Sequence, residues 1–408
     1  MNKTKIVITG MGAVTPIGIG VEEYWRNLLS CRSGMAPISK FDATDLPVRF
    51  AAEVKNFDPI TYLSAKRLEA MDDFQRYAFA AAAMALEDGG LTINPYRTGI
   101  VVGSALTGMA TISLTQREVD LTGQRVGPKF VPKILGNIAA AQIAISYGIK
   151  GPSLTVDTAC SSGTDAIIMS AMLLKAGAAD AVLAVGAESG LGPLLIQSLA
   201  KANALSQRND APEEASRPFD LDRDGFVIGE GGGAMLLETE EHALARGAAI
   251  RAELMGYANM NDGFHIMSPE PEGLGAAVCM RLALESAGLE PEQVGYLNAH
   301  GTSTLKGDAA ECLAIRRVFG SYADILPVSS IKGATGHLMG ACGVTEAIAC
   351  VQALNGGVLP PTLHYGHPDP DCALDVIPNQ PRPLKIRTAV SNTFGFGGQN
   401  ASLVLGAY

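Results

Sequence analysis

Ser153-Leu-Thr-Val-Asp-Thr-Ala-Cys160-Ser-Ser-Gly-Thr-Asp-Ala-Ile167 is the stretch on which the fold turns. Residues 153–156 alternate as a short strand does, and the run from Thr164 to Lys175 has the apolar content of a mostly buried helix. Between them Thr158, Ala159, Ser161, Ser162 and Gly163 are all small, which places Cys160 on a tight strand-to-helix turn. A thiol there faces the unpaired N–H groups and the positive dipole end of a helix, a setting that favours the thiolate. The same turn offers its own N–H to an oxyanion. This is the logic of a nucleophile elbow with sulfur in place of oxygen. The competing reading of Cys160 is a small core cysteine.

A chain of 408 residues exceeds a usual single core, so two domains or a duplicated one are expected. With 47% hydrophobic residues, 18% charged and 46 glycines, it reads as a well-packed globular protein with many tight turns. A net charge of −10 argues against nucleic acid as the main partner. The seven cysteines show no CxxC spacing and are odd in number, which fits a reducing compartment and not a disulfide framework. No charged-then-apolar leader precedes Ile6 and no apolar run has membrane-spanning length, so a cytoplasmic enzyme is expected, with no membrane partner.

Lys5 to Thr9 predicts a strand, followed by Gly10-Met-Gly-Ala-Val-Thr-Pro-Ile-Gly18. A dinucleotide-binding loop would need GxGxxG spacing, and Pro16 stands where its helix should be running. Asp72 to Glu87 predicts a helix, started by Asp72-Asp73 and ended by Gly89-Gly90, and Gly99 to Val102 a buried strand. The glycines from Gly225 to Gly233 indicate close backbone packing ahead of a strand from Ala234 to Leu237. No Lys-Ser/Thr follows them as a phosphate-binding loop requires.

Ala85-Leu-Glu-Asp-Gly-Gly-Leu91 and Ala283-Leu-Glu-Ser-Ala-Gly-Leu289 match at five of seven positions, and a strand follows each at the same offset. This echo predicts two similar halves, residues 1–248 carrying Cys160 and residues 249–408. Alternating helices and apolar strands in each predict α/β layers with largely parallel sheets.

In the second half two strand-end loops present histidines. Val294 to Asn298 leads into Ala-His300-Gly-Thr-Ser-Thr304, and Leu326 to Ile331 leads into Lys332-Gly-Ala-Thr-Gly-His337, just before an apolar helix from Leu338 to Leu354. Sites in α/β proteins assemble at such carboxyl ends, so two histidines and a cysteine on three of them form a candidate constellation. His364 and His367 lie in a Pro-rich loop and read as solvated; no metal is expected.

These motifs, together with Asn392-Thr-Phe-Gly-Phe-Gly-Gly398, resemble those of the β-ketoacyl-[acyl-carrier-protein] synthases, the condensing acyltransferases of the thiolase superfamily. The resemblance runs from Val7 to Leu405 and is strongest to the chain-elongating type II enzymes, with the ketosynthase subunits of type II polyketide systems as near relatives. It implies a thiolase-type fold, two α/β halves in five layers (αβαβα), and a dimer. It implies that Cys160 takes the acyl chain and that His300 and His337 donate from Nε2 to the enolate oxygen formed when a malonyl thioester loses carbon dioxide. Lys332 would support the histidine pair; its alternative role is a structural ion pair, with Glu346 the candidate partner. Phe394 would be both gate and oxyanion donor, with Gly395 giving it freedom. Thr302 and Thr304 would contact a phosphopantetheine arm, and Met267 and Phe396 would join the substrate site. Leu106 and Phe130 would line the acyl pocket, Phe130 across a dimer interface. No cofactor is implied beyond the carrier's own arm, and the partner is an acyl carrier protein.

The sequence departs from the family pattern in places. Met267 stands where relatives usually carry Thr, and Lys306 is an addition near the expected entrance. Glu69, Ala70 and Asn203 replace expected basic residues, leaving Lys66, Arg125 and Lys129 as a reduced docking surface for an acidic carrier. The expected function is fatty-acid-type elongation. Its alternatives are a polyketide or polyene ketosynthase paired with a non-catalytic homologue, a non-catalytic partner itself, and, more distantly, a dehydrogenase.

Overall fold

Why the strand segments are apolar at nearly every position becomes clear once their two faces are traced. The computed structural model describes residues 4–408. Its sheet is built from β1 (Ile6–Thr15), β2 (Thr98–Gly103), β3 (Ser153–Val156), β4 (Ala181–Glu188) and β5 (Gly231–Thr239). It continues with β6 (Ala252–Asn261), β7 (Tyr296–Asn298), β8 (Val328–Ser329), β9 (Thr388–Gly395) and β10 (Gln399–Gly406). Helices α1 (Asp73–Gly89), α2 (Ser162–Lys175), α3 (Leu274–Ala287), α4 (Leu305–Phe319), the single turn α5 (Lys332–Thr335) and α6 (Cys342–Gly356) pack on it.

In β4, Val182 and Ala184 face a central core shared with α2 and α6, while Leu183 and Val185 face a second core under α1. In the other half, Leu403 and Leu405 of β10 face the central core, and Val404 faces a third core under α3 and α4. The result is helix, sheet, helix, sheet, helix: the five-layered thiolase-type arrangement expected. Strands buried on both faces show no polar alternation.

The spatial order is β3-β2-β4-β5-β1 in the first half and β8-β7-β9-β10-β6 in the second, the same pattern repeated. Pairing directions repeat too: β2 is parallel to β3 and β4, as β7 is to β8 and β9, and the remaining pairs within each half are antiparallel. The expectation of largely parallel sheets is therefore corrected to mixed. Runs buried on both faces look alike whichever way the chain travels, and β9 simply turns back into β10 as a hairpin. A three-residue antiparallel contact, Ile6–Ile8 against Ala252–Leu254, joins the halves into one sheet.

The internal echo has a packing basis. A Cβ on Gly10 of β1 would stand 2.1 Å from the carbonyl oxygen of Ala85, and one on Gly256 of β6 would stand 2.4 Å from that of Ala283. Each helix thus presses onto a strand glycine at the equivalent place. Strand β1 runs on through Gly10 and Gly12 to Thr15, past the predicted end at Thr9, so these glycines admit a helix and form no phosphate loop. Asp72 and Gln75 form a capping box at the start of α1, and Gly90 ends it with φ 56°. No helix among the described residues is long and apolar enough to cross a membrane.

Candidate active site

Helix α2 begins at Ser162, so Cys160 sits just before it, on the turn from β3. Ala159 adopts φ 53°, a left-handed conformation that costs a residue with a Cβ about 1–3 kcal/mol. The small neighbours hold it there: the Thr158 N–H donates to Ser162 Oγ at 2.9 Å, and that hydroxyl donates to the Ala159 carbonyl at 2.7 Å. The Ser161 hydroxyl donates to Asp165 at 2.9 Å. A Cβ on Gly103, at the end of β2, would lie 2.1 Å from the Ser162 carbonyl oxygen, so a glycine is needed for α2 to start so close.

His300 follows β7 by two residues. Its N–H and that of Gly301 donate to the Glu311 carboxylate on α4 at 2.9 and 2.7 Å, which fixes the loop. Lys332 opens α5; its ammonium donates to the His300 carbonyl at 2.6 Å and pairs with Glu346 on α6, the expected structural partner. His337 follows α5 and brings Nε2 to 3.2 Å from Cys160 Sγ. Its helix does not continue from Leu338 as predicted. A tight turn over Met339–Ala341 intervenes, and from it the Met339 N–H donates to His337 Nδ1 at 3.3 Å. Because that amide can only donate, Nδ1 accepts and the ring proton resides on Nε2. The rings of His300 and His337 meet edge-on, centroids 5.3 Å apart, and Phe226 packs edge-on against His337 at 5.1 Å.

Burial dominates the charge states. It pushes the Cys160 thiol up to about 11, against the opposing pull of Lys332 and of the backbone N–H groups of Phe396 and Cys160. The expectation of a favoured thiolate is corrected: Cys160 is 7% exposed, and desolvation outweighs the helix end. Burial and then Lys332 hold both histidines well below the usual range, so both rings are neutral. Burial alone would lower Lys332, but Glu346 outweighs it and keeps the ammonium charged. Glu311 is pushed up to about 7 by burial, opposed by its two N–H donors.

A cavity of about 640 Å³ leads to this group. Cys160, His300 and His337 form its buried end. Thr302 and Thr304, with hydroxyls 3.0 Å apart, line it further out, and Met267, Lys306 and Phe396 stand at its exposed mouth. Leu106 is not on this wall; it packs in the apolar cluster that contains Cys160, Leu191, Leu195 and Ile196. Phe130, half-buried on a short helix, also lies off the cavity.

The two phenylalanines are placed differently from each other. Phe394 lies within β9, half-buried against the third core, its ring 5.8 Å from that of His300. Phe396 sits in the hairpin turn, is 37% exposed, precedes Gly397 and Gly398 at φ 81° and 73°, and supplies the amide that faces Cys160. A Cβ on Gly395 would come within 3.0 Å of the Cys160 nitrogen, so that residue is the close approach between the two loops. The turn is tied to the Met267 loop, since the Gly397 N–H donates to Ile266 and the Asp262 N–H to Gly398, each at 2.8 Å.

Of the candidate docking residues, Lys66 and Arg125 are exposed with no ion pair among the described residues, whereas Lys129 is paired with Glu69. His364 is corrected from solvated to half-buried: its Nδ1 is 2.7 Å from the Ser216 carbonyl oxygen, to which it donates. His367 is exposed and bonded to Asp222 at 2.6 Å. Glu188 escaped the sequence reading. Its buried carboxylate accepts N–H groups from Ala105, Leu106 and Gly340, tying the Leu106 loop to the turn after His337. Its only sequence signal is an acid ending an otherwise apolar strand.

Residues 3–243 match the family model of the β-ketoacyl synthase N-terminal domain and residues 251–366 that of the C-terminal domain. The chain is 43% identical over 409 residues to the 3-oxoacyl-[acyl-carrier-protein] synthase 2 of Coxiella burnetii, covering 99% of each. It is 43% identical to the protein of the same name from Synechocystis, covering 100% of this chain and 99% of that one. Among solved structures it is similar to the ishigamide ketosynthase/chain length factor, with TM-score 0.93 and 34% identity over 100% of both chains. It also matches a type II polyketide ketosynthase in complex with its acyl-carrier protein, at TM-score 0.91 and 32% identity over 100% of both.

Proposed function

The chain belongs to the β-ketoacyl synthase family, and from that premise we propose how its residues divide the work of a 3-oxoacyl-[acyl-carrier-protein] synthase. The reaction is a decarboxylative Claisen condensation, and the partner is an acyl carrier protein. One observation carries the assignment: Cys160 Sγ, His337 Nε2 and the Phe396 amide converge at the closed end of one cavity.

Cys160 sulfur attacks the carrier-bound acyl carbonyl, the carrier's C–S bond breaks, and the thiol proton leaves with the carrier thiol. Malonyl carrier then enters past Thr302 and Thr304. Its carboxylate departs as carbon dioxide, and the electron pair flows into an enolate whose oxygen accepts from His300 and His337. The enolate carbon attacks the acyl-Cys160 carbonyl, whose oxyanion accepts from the Cys160 and Phe396 amides. Collapse breaks the bond to sulfur, releases the 3-oxoacyl product and leaves a Cys160 thiolate, which takes a proton from water to restore the thiol. Lys332 sets the His300 loop and adds to burial in keeping both rings neutral. No resident cofactor takes part, since both substrates ride on the carrier's phosphopantetheine arm. The enzyme is assigned to the cytoplasm.

Phe396 is the gate. Phe396→Ala is expected to let malonyl carrier decarboxylate before Cys160 is acylated, raising that uncoupled rate several-fold, whereas Phe394→Ala mainly loosens core packing. Carbon dioxide release with and without an acyl donor reads the difference; an uncoupled rate unchanged in Phe396→Ala removes the gate.

The functional unit is a dimer built on β3, an exposed edge strand whose Leu154 is 39% exposed; Met172 on the neighbouring α2 is 49% exposed. Carrier docking rests on Lys66 and Arg125, the charges left free. Similarity to a ketosynthase/chain length factor favours a second reading, pairing with a non-catalytic homologue. Sedimentation of the purified chain, followed by assay with acyl and malonyl carriers, tests both. A dimer that alone releases carbon dioxide and a chain longer by one malonyl-derived unit establishes elongation. Product only after a homologous subunit is added establishes the paired reading, and no condensation in either case overturns the function. Loss of carrier binding at low salt by Lys66→Glu with Arg125→Glu reads the docking surface; undiminished binding removes it.

A further inference from the structure

His337 is held between two thiols. Cys160 lies 3.2 Å from Nε2, and on the other side Cys342, first residue of α6 and 1% exposed, lies 3.1 Å from Nδ1. Cys342 has no part in the reaction described above, and it is one of six further cysteines in the chain. The turn over Met339–Ala341 brings it to the ring, because it delays α6 until its first side chain faces back toward His337.

The Met339 N–H already donates to Nδ1 at 3.3 Å, a long hydrogen bond and the only backbone donor to that atom among the described residues. A thiol facing the same lone pair has one favourable orientation, S–H toward nitrogen. Burial, first among the causes, lifts the Cys342 thiol well above its ordinary range, so its proton stays available to donate. His300 offers the contrast: its buried Nδ1 has no hydrogen-bond partner among the described residues, so none of them fixes the proton on that ring.

We propose that Cys342 is a positioning residue for His337, its S–H donating to Nδ1 beside the Met339 amide and so holding the ring proton on Nε2, the atom that faces Cys160 and the substrate. The proposal rests on the reading of His337 as an oxyanion donor. A ring with its proton on Nδ1 would turn a lone pair toward the enolate oxygen and repel it.

Three forms of the full-length protein, wild type, Cys342→Ala and Cys342→Ser, labelled with ¹⁵N-histidine, test it, with His337→Gln used to assign the signal. Wild type and Cys342→Ser are expected to show His337 protonated on Nε2 alone. Cys342→Ala, left with the single long bond, is expected to show exchange with the neutral, Nδ1-protonated tautomer. In parallel, kcat for malonyl decarboxylation should fall by about three- to ten-fold in Cys342→Ala, the value of one modest hydrogen bond, and recover in Cys342→Ser. KM and the acylation of Cys160 should stay unchanged. A His337 signal in Cys342→Ala identical to wild type overturns the proposal. So does a deficit shared equally by folded Ala and Ser variants, because it would mark mere packing. If the wild type does not condense at all, the proposed function fails while the ring signal still decides the role of Cys342.

Discussion

Cys160→Ala is expected to abolish condensation, a loss of roughly 10⁴-fold or more, because removing a covalent nucleophile leaves only binding and oxyanion stabilisation. Cys160→Ser should likewise show no stable acylation by an acyl carrier, while Cys312→Ser, altered in the core beneath α4, should load normally. Intact-protein mass spectrometry reads both, and equal loading of Cys160→Ser would sink the assignment. Only Cys160 combines a place at the end of the cavity, a histidine Nε2 at 3.2 Å and two amides facing its sulfur. Its pH dependence carries a second expectation. With the thiol pushed up to about 11, the thiolate fraction near neutrality is small and grows with pH. Alkylation of Cys160 by iodoacetamide should therefore climb through pH 8 and 9 without levelling; a plateau near neutrality would show a preformed thiolate.

His300→Ala and His337→Ala are each expected to lower malonyl decarboxylation by about 10²- to 10³-fold, the usual cost of removing one oxyanion donor. Acylation of Cys160 should suffer much less, since the enolate forms only after it. Carbon dioxide release and acyl loading, measured on the same variants, separate the two steps. Wild-type decarboxylation in either variant would remove that histidine from the role. Both rings are held below the usual range by burial and by Lys332, so decarboxylation should show no inflection near pH 6.5, where a free histidine titrates. The same shift has a stability cost with a definite sign. Below about pH 6.5 an unfolded chain takes up protons at these positions that the folded one refuses, so stability falls as pH drops.

The parts of the site that sequence made legible were those marked by local chemistry. Small residues around Cys160 announced a turn, and glycines after His300 and before His337 announced strand-end loops. What stayed hidden depended on distant packing. The sign of the shift at Cys160 follows from burial under Leu106, Phe226 and Met339, none of them near it in the chain. That the amide of Phe396, rather than that of Phe394, faces Cys160 needed the register of the hairpin, because glycines follow both rings. Cys342 lies five residues beyond His337, and only the intervening tight turn brings it to the ring. Strand direction was equally silent, since buried runs carry no mark of which way they point.

The placement of β1 bears on how the protein is made. Apart from a two-residue turn-back at Gly18–Ile19, this ten-residue, fully buried strand pairs with β5 and β6, so more than two hundred residues separate Thr15 from its long partner's start at Gly231. At about 5–20 residues per second, a ribosome needs roughly 10 to 40 s to supply β5 after β1 has been made. Throughout that interval an apolar segment with most of its amides and carbonyls unpaired waits outside the tunnel, covered by no more than the helix Val21–Leu29 on one face and α1 on the other. A nascent chain halted before Gly231 would thus present a sticky, open strand to other chains, and the first half of the sheet cannot close until β5 inserts between β4 and β1.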